Sequence, residues 1–127
     1  FGKEAAMFAG FYQLDNLCVV VDNNGLQIDG SIDEVCSPRP IDQKFEAFRF
    51  NVIKIDGHDF LQIEQAFAQA RACKTKPTAI IAQTIKGKGV SFMEKQIKWH
   101  CGSLTKDDLQ TALSDLEAAY EKQRKEL

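Results

Sequence analysis

Apolar residues recur at three- and four-residue steps near the start of the chain, at Ala5, Phe8, Ala9 and Tyr12. That spacing keeps one face of an α-helix apolar and predicts a helix over residues 3 to 13. Leu17-Cys18-Val19-Val20-Val21 is an unbroken apolar run rich in β-branched side chains, which predicts a strand covered on both faces, as in a parallel sheet. Asp22-Asn23-Asn24-Gly25 ends it with residues that favour turns. Gln27 to Pro40 reads as a loop holding a short helix near Ile32–Val35. Pro40 can open the next helix, whose buried stripe is Ile41, Phe45 and Phe48.

Val52-Ile53-Lys54-Ile55 predicts a second strand, ended by Asp56-Gly57. Asp59 and Gln62 form a capping pair for a helix to Ala72 that turns Phe60, Ile63, Phe67 and Ala70 one way. Pro77 precedes a third strand, Thr78 to Ile85, and Lys86-Gly87-Lys88-Gly89 reads as a flexible loop. Thr105 and Asp108 make a capping box for a last helix with the stripe Leu109, Leu113, Leu116 and Tyr120. Strands alternating with helices predict an α/β fold, a parallel sheet with helices on both faces and right-handed crossovers. In such sheets ligands bind beyond the carboxyl ends of the strands, which singles out the loops after Val21 and Ile85.

Composition narrows the classes of function. The 127 residues are 44% hydrophobic and 27% charged, too apolar for a disordered chain and enough for one compact domain. A formal net charge of −2 without any basic block excludes a nucleic-acid backbone as partner. No apolar run approaches the roughly 20 residues that span a membrane, so no membrane partner is expected. Cys18, Cys36, Cys73 and Cys101 show no metal-binding or disulfide spacing, which points to a reducing, cytoplasmic location. Phe1-Gly2-Lys3 is not an initiator sequence and Glu4 to Gly10 begins partway through a helix, so the chain reads as a section of a longer one.

The two loops carry residues suited to chemistry. An asparagine oxygen and a nearby backbone carbonyl in Asp22-Asn23-Asn24-Gly25-Leu26 are hard donors that suit Mg²⁺; the same residues also serve simply to turn a chain. Lys86-Gly87-Lys88-Gly89 can approach an anionic phosphate, although it lacks the P-loop pattern and reads equally as a solvated loop. His100, after Trp99, can donate to a phosphate or be an exposed histidine, and His58 reads as surface.

Taken in order, these segments resemble a known family. Glu4-Ala5-Ala6-Met7-Phe8-Ala9-Gly10, Leu14-Asp15-Asn16-Leu17 and Asp22-Asn23-Asn24-Gly25-Leu26-Gln27-Ile28-Asp29-Gly30 resemble the second half of the thiamine diphosphate signature of transketolases. Pro77 to Ala82, Thr84 to Glu94 and Trp99-His100 continue the likeness in the same order. It runs from about residue 4 to residue 103 and is similar in particular to the amino-terminal subunit of split bacterial and archaeal transketolases.

The resemblance implies that residues 1–127 are the carboxyl-terminal portion of a transketolase-type thiamine diphosphate-binding domain. It implies Mg²⁺ held by the Asn24 side chain and the Leu26 carbonyl, and Ile28 beside the cofactor. Lys86 and His100 would line the cofactor and the substrate channel, His100 in a catalytic role, and Glu4 would lie at a dimer interface. The implied reaction moves a two-carbon ketol unit from a ketose phosphate to an aldose phosphate, with a complementary subunit or domain and a dimeric complete enzyme. The family's upstream Gly-Asp-Gly segment is absent here, and Cys101-Gly102-Ser103-Leu104 departs from its usual turn, so this chain alone is expected to be inactive. Two alternatives are another thiamine diphosphate enzyme, against which Trp99-His100 argues, and a non-catalytic domain that kept the fold.

Overall fold

The computed structural model describes residues 2–126. In chain order its elements are α1 (Gly2–Phe11), β1 (Cys18–Asn23), β2 (Leu26–Gln27), β3 (Gly30–Ser31) and α2 (Ile32–Val35). There follow α3 (Ile41–Ala47), β4 (Asn51–Asp56), α4 (Phe60–Ala72) and β5 (Thr78–Gln83). A 3₁₀ turn (Ile97–His100) and α5 (Lys106–Glu126) complete it. Contacts divide the chain into two units: residues up to Asn24 with Ser37–Thr84, and Gly25–Cys36 with the residues from Ile85 on.

The first unit is a parallel three-stranded sheet in the order β1-β5-β4. Ala79 of β5 lies opposite Val19 of β1 and Val52 of β4, and the register holds to the end, where Gln83 faces Asn23 and Asp56. Thr78 to Ala82 are all buried, with Ile80 only 1% exposed. Side chains alternate across a strand, so Ala79 and Ile81 meet Ala6 and Ala9 of α1 and Phe50. Ile41, Phe45 and Phe48 pack against the same cluster, as their spacing predicts. The other set, Thr78, Ile80 and Ala82, faces the opposite side, and α4, which packs on β4, buries Ala66 and Ala70. Helices thus flank both faces, as the alternation of elements predicts.

In the first unit three expectations change. The sequence predicts cover on both faces of β1, but it is the edge strand and its residues are exposed in alternation, with Val20 at 53%. β5 takes the doubly covered place. The helices also turn small residues inward, because close approach to a sheet suits alanine and glycine. In α1 Ala9 is buried as expected, together with Ala6 and Gly10, while Ala5 and Phe8, and Tyr12 just after the helix, are exposed, with the Phe8 and Tyr12 rings 4.4 Å apart. In α4 Ala70 is buried as expected, together with Ala66, while Phe60 and Phe67 are exposed. The Asp59 cap forms as expected: its carboxylate accepts from the Leu61 and Gln62 amides at 2.9 and 3.1 Å and from the Gln62 side chain at 2.8 Å. Those donors, the Gln62 amide first, hold its carboxyl below the usual range.

In the second unit β2 and β3 pair antiparallel, Leu26 opposite Ser31 and Gln27 opposite Gly30. Glu34 accepts from the Ser31 amide and hydroxyl and so caps α2. The expected Thr105–Asp108 box opens α5, with reciprocal bonds of 3.0 and 3.1 Å. Its stripe differs from expectation: among the described residues Ala112 is the buried one, and Leu109, Leu113, Leu116 and Tyr120 are 47% to 63% exposed. Among the described residues no helix is long and apolar enough to cross a membrane.

Gly10 shows how tightly the first unit is packed, since a Cβ there would stand 1.7 Å from the Phe48 carbonyl oxygen. Gly10→Ala is expected to destabilise the fold by about 1–3 kcal/mol through overpacking. Gly2→Ala, with open space around it, is the control, and paired thermal melts check the difference.

Candidate functional site

The carboxyl ends of β1 and β5 stand side by side, as the ligand rule for parallel sheets requires. Their last residues are joined by side chains as well as by the ladder. Asn23 Nδ2 donates to Gln83 Oε1 at 2.9 Å, and Gln83 Nε2 donates back to the Asn23 carbonyl at 2.8 Å. Next along, the Thr84 hydroxyl donates to the Asp22 carboxylate. A cavity of about 330 Å³ opens beside this end of the sheet, floored by Ile41, Ile55 and Ile81 and rimmed by polar groups. Lys54 and Asp42, paired at 3.0 Å, stand on its rim, and the lysine holds the aspartate carboxyl below the usual range.

Asn24 follows directly and is half-buried, the last residue of the first unit's opening segment. Glu4 is in the same unit, exposed on α1. The other four expected site residues belong to the second unit. Leu26 is half-buried in β2, and Ile28 is 63% exposed in the turn before β3. The Ile32 amide donates to the Gly25 carbonyl at 3.1 Å and closes that hairpin segment.

Lys86 lies in the Lys86-Gly87-Lys88-Gly89 loop, which sequence reads as flexible and which the structure shows to be crossed by backbone hydrogen bonds. The Lys95 amide donates to the Lys86 carbonyl at 2.9 Å and ties the two ends of the segment together. Inside it, Val90 N donates to Gly87 O at 3.2 Å and Met93 N to Val90 O at 2.9 Å. Gly87 has φ +73°, and a Cβ there would meet the Met93 carbonyl at 2.6 Å. The glycine is therefore required by the turn, whatever else approaches it. Glu94 accepts from the Gly89 amide at 3.0 Å and pairs with Lys88 at 3.6 Å. These donors, the Gly89 amide first, hold its carboxyl below the usual range.

His100 ends the 3₁₀ turn and is exposed. Trp99 anchors that turn, donating from Nε1 to the Phe92 carbonyl at 3.0 Å with the two rings 5.2 Å apart. Ser91 is fastened in turn to Asp115 of α5 at 2.8 Å. The donor chemistry fits a hard cation at both expected ligands: a side-chain amide oxygen at Asn24 and a carbonyl at Leu26. Among the described residues no three His, Cys, Asp or Glu side chains gather into a metal-binding group. By sequence, Gln83 and Thr84 read as part of a strand without a role. The available signal was a pair of polar residues at the end of an otherwise apolar run, opposite Asp22-Asn23.

The profile of the family described as transketolase, thiamine diphosphate binding domain, matches residues 1–123. The chain belongs to that family. A 6-deoxy-6-sulfo-D-fructose transketolase subunit of a Clostridium species is 42% identical over 90% of this chain and 42% of its own length. One of the subunits of an apulose-4-phosphate transketolase from Phocaeicola vulgatus is 37% identical over 97% of this chain and 44% of its own. The transketolase crystal structure from Campylobacter jejuni superposes with a TM-score of 0.84 and 32% identity, over 91% of this chain and 18% of that one. The chain thus spans less than half the length of these transketolase relatives.

Within this chain Glu94 makes the 86–95 turn sensitive to acid. A lowered folded pKa stabilises the turn above the ordinary value of 4.5, and that contribution is lost as pH falls through the folded value. The Gly89 amide resonance is expected to move with pH only in that acid window, and Glu94→Gln is expected to abolish the movement; NMR titration checks both.

Proposed function

We propose that this chain is the carboxyl-terminal portion of the thiamine diphosphate-binding domain of a transketolase. In this reading it acts with Mg²⁺ and a complementary subunit or domain to transfer a two-carbon ketol unit between sugar phosphates. The supporting observation is the Asn24 loop, a hard oxygen donor at the carboxyl end of a parallel strand, within a family match that covers residues 1–123. Relatives whose names describe subunits, one of them acting on a sugar phosphate, support the partner and the substrate class.

Each residue has a task in this reading. The Asn24 side chain and the Leu26 carbonyl would hold Mg²⁺, a hard cation that would neutralise the charge of phosphate groups. Ile28 offers an apolar surface to the cofactor. Lys86 supplies positive charge to anionic groups. His100, exposed beside an anchored tryptophan, donates hydrogen bonds to developing charge on the substrate. When bound, thiamine diphosphate supplies the electron sink for breaking a carbon–carbon bond beside a carbonyl, which no side chain offers. Glu4 sits on α1, whose outward side also carries Met7, Phe8, Phe11 and Tyr12, a surface suited to a dimer interface.

Calorimetric titration of thiamine diphosphate with Mg²⁺ tests the reading. Binding is expected only when the complementary subunit or domain is added, and Asn24→Ala is expected to weaken it at least about tenfold. A folded chain that binds in neither condition would replace this reading with a non-catalytic one. The exposed apolar residues of α1 predict weak self-association of the isolated chain. Sedimentation over a range of concentrations checks this, and a monomer at all of them counts against it.

A further inference from the structure

We propose that Gln83, assisted by Thr84, is the positioning residue for Asn24; the proposal rests on the reading of Asn24 as a magnesium ligand. The argument begins at the peptide bond between Asn23 and Asn24. Its carbonyl oxygen belongs to Asn23 and accepts from Gln83 Nε2 at 2.8 Å. A peptide unit is planar, so the direction of that carbonyl also sets the Asn24 amide and Cα. Holding the oxygen therefore aims the residue that follows.

The clamp is redundant in a useful way. Gln83 Oε1 accepts a hydrogen bond from the Asn23 side chain at 2.9 Å, so the two residues grip each other at two points. Thr84 holds the Asp22 carboxylate one residue further back. Gln83 is itself fixed, because it faces Asn23 in the β1–β5 ladder and its carbonyl accepts from the Gly57 amide at 2.8 Å. Three consecutive residues at the end of β1 are thus referred to the central strand, two by side chains and the third through its peptide plane. Outer partners of this kind tune a metal through its ligand, without touching the metal. Gln83 is exposed, so its amide is not needed to fill the core.

The test separates aim from stability. Gln83→Glu keeps the size and the acceptor while losing the donor to the Asn23 carbonyl. Two readouts are taken: amide hydrogen exchange at Asn24 in the chain, and the Mg²⁺ dissociation constant with thiamine diphosphate in the assembly with the complementary part. The expected result is faster exchange at Asn24 and an Mg²⁺ dissociation constant raised about tenfold or more, at an unchanged melting temperature. Wild-type Mg²⁺ affinity in the variant would overturn the proposal while leaving the functional reading intact. If Gln83→Glu also lowers the melting temperature, Thr84→Val and Thr84→Ser decide. Weaker Mg²⁺ binding in the first, restored in the second, sustains the clamp; equal affinities overturn it. Failure of the unaltered assembly to bind Mg²⁺ and thiamine diphosphate would overturn the functional reading, and the metal-positioning role with it.

Discussion

Strand β5 has a hydrogen-bonded neighbour on each edge and buried side chains on each face, and the first unit is organised around that double constraint. A slip of one residue would exchange Ala79 and Ile81 for Thr78 and Ile80 and lose both packed faces together. Register at the start of the strand, where the Thr78 amide donates to the Leu17 carbonyl, is carried to its far end. Gln83 therefore meets Asn23 because of what is buried earlier in the same strand. Apolar packing locates the polar end of the sheet, and a few directional bonds complete it.

The order of elements was legible because periodicity and punctuation agreed. Valine and isoleucine runs ended at Asp22 and Asp56, and Asp59 and Thr105 opened helices with the side-chain bonds their positions suggest. Which strand would be central was not legible, since Leu17 to Val21 and Thr78 to Ala82 are similarly apolar and sheet order depends on pairing across 60 residues. Helix faces were misread for a related reason. Hydrophobicity rightly placed Ala9 and Ala70 in the core but also picked Phe8, Phe60 and Phe67, whereas the smaller Ala6 and Ala66 are the other buried residues.

Legibility of the site divides along the same line. Asn24 and Leu26 are proposed as ligands on donor chemistry together with family resemblance, because a ligand type and a local motif are properties of a few neighbouring residues. Gln83 carried no such local signal, since its bonded partner Asn23 lies far away in sequence. Glycine and lysine in Lys86-Gly87-Lys88-Gly89 suggested only a loop, while the bonds that close the longer 86–95 segment come from backbone groups and Glu94.

That closed segment has a consequence for how the chain can change over time. Its ends are joined by the bond from the Lys95 amide to the Lys86 carbonyl, and Glu94 reaches back to Gly89 across five residues. The number of residues between the ends is therefore as much a part of the structure as their identities. A single insertion would displace Glu94 from the Gly89 amide or part the two lysines, whereas many substitutions would leave both bonds in place. Gaps between related sequences should accordingly fall outside residues 86–95, and exchange of side chains within it should be the commoner kind of variation.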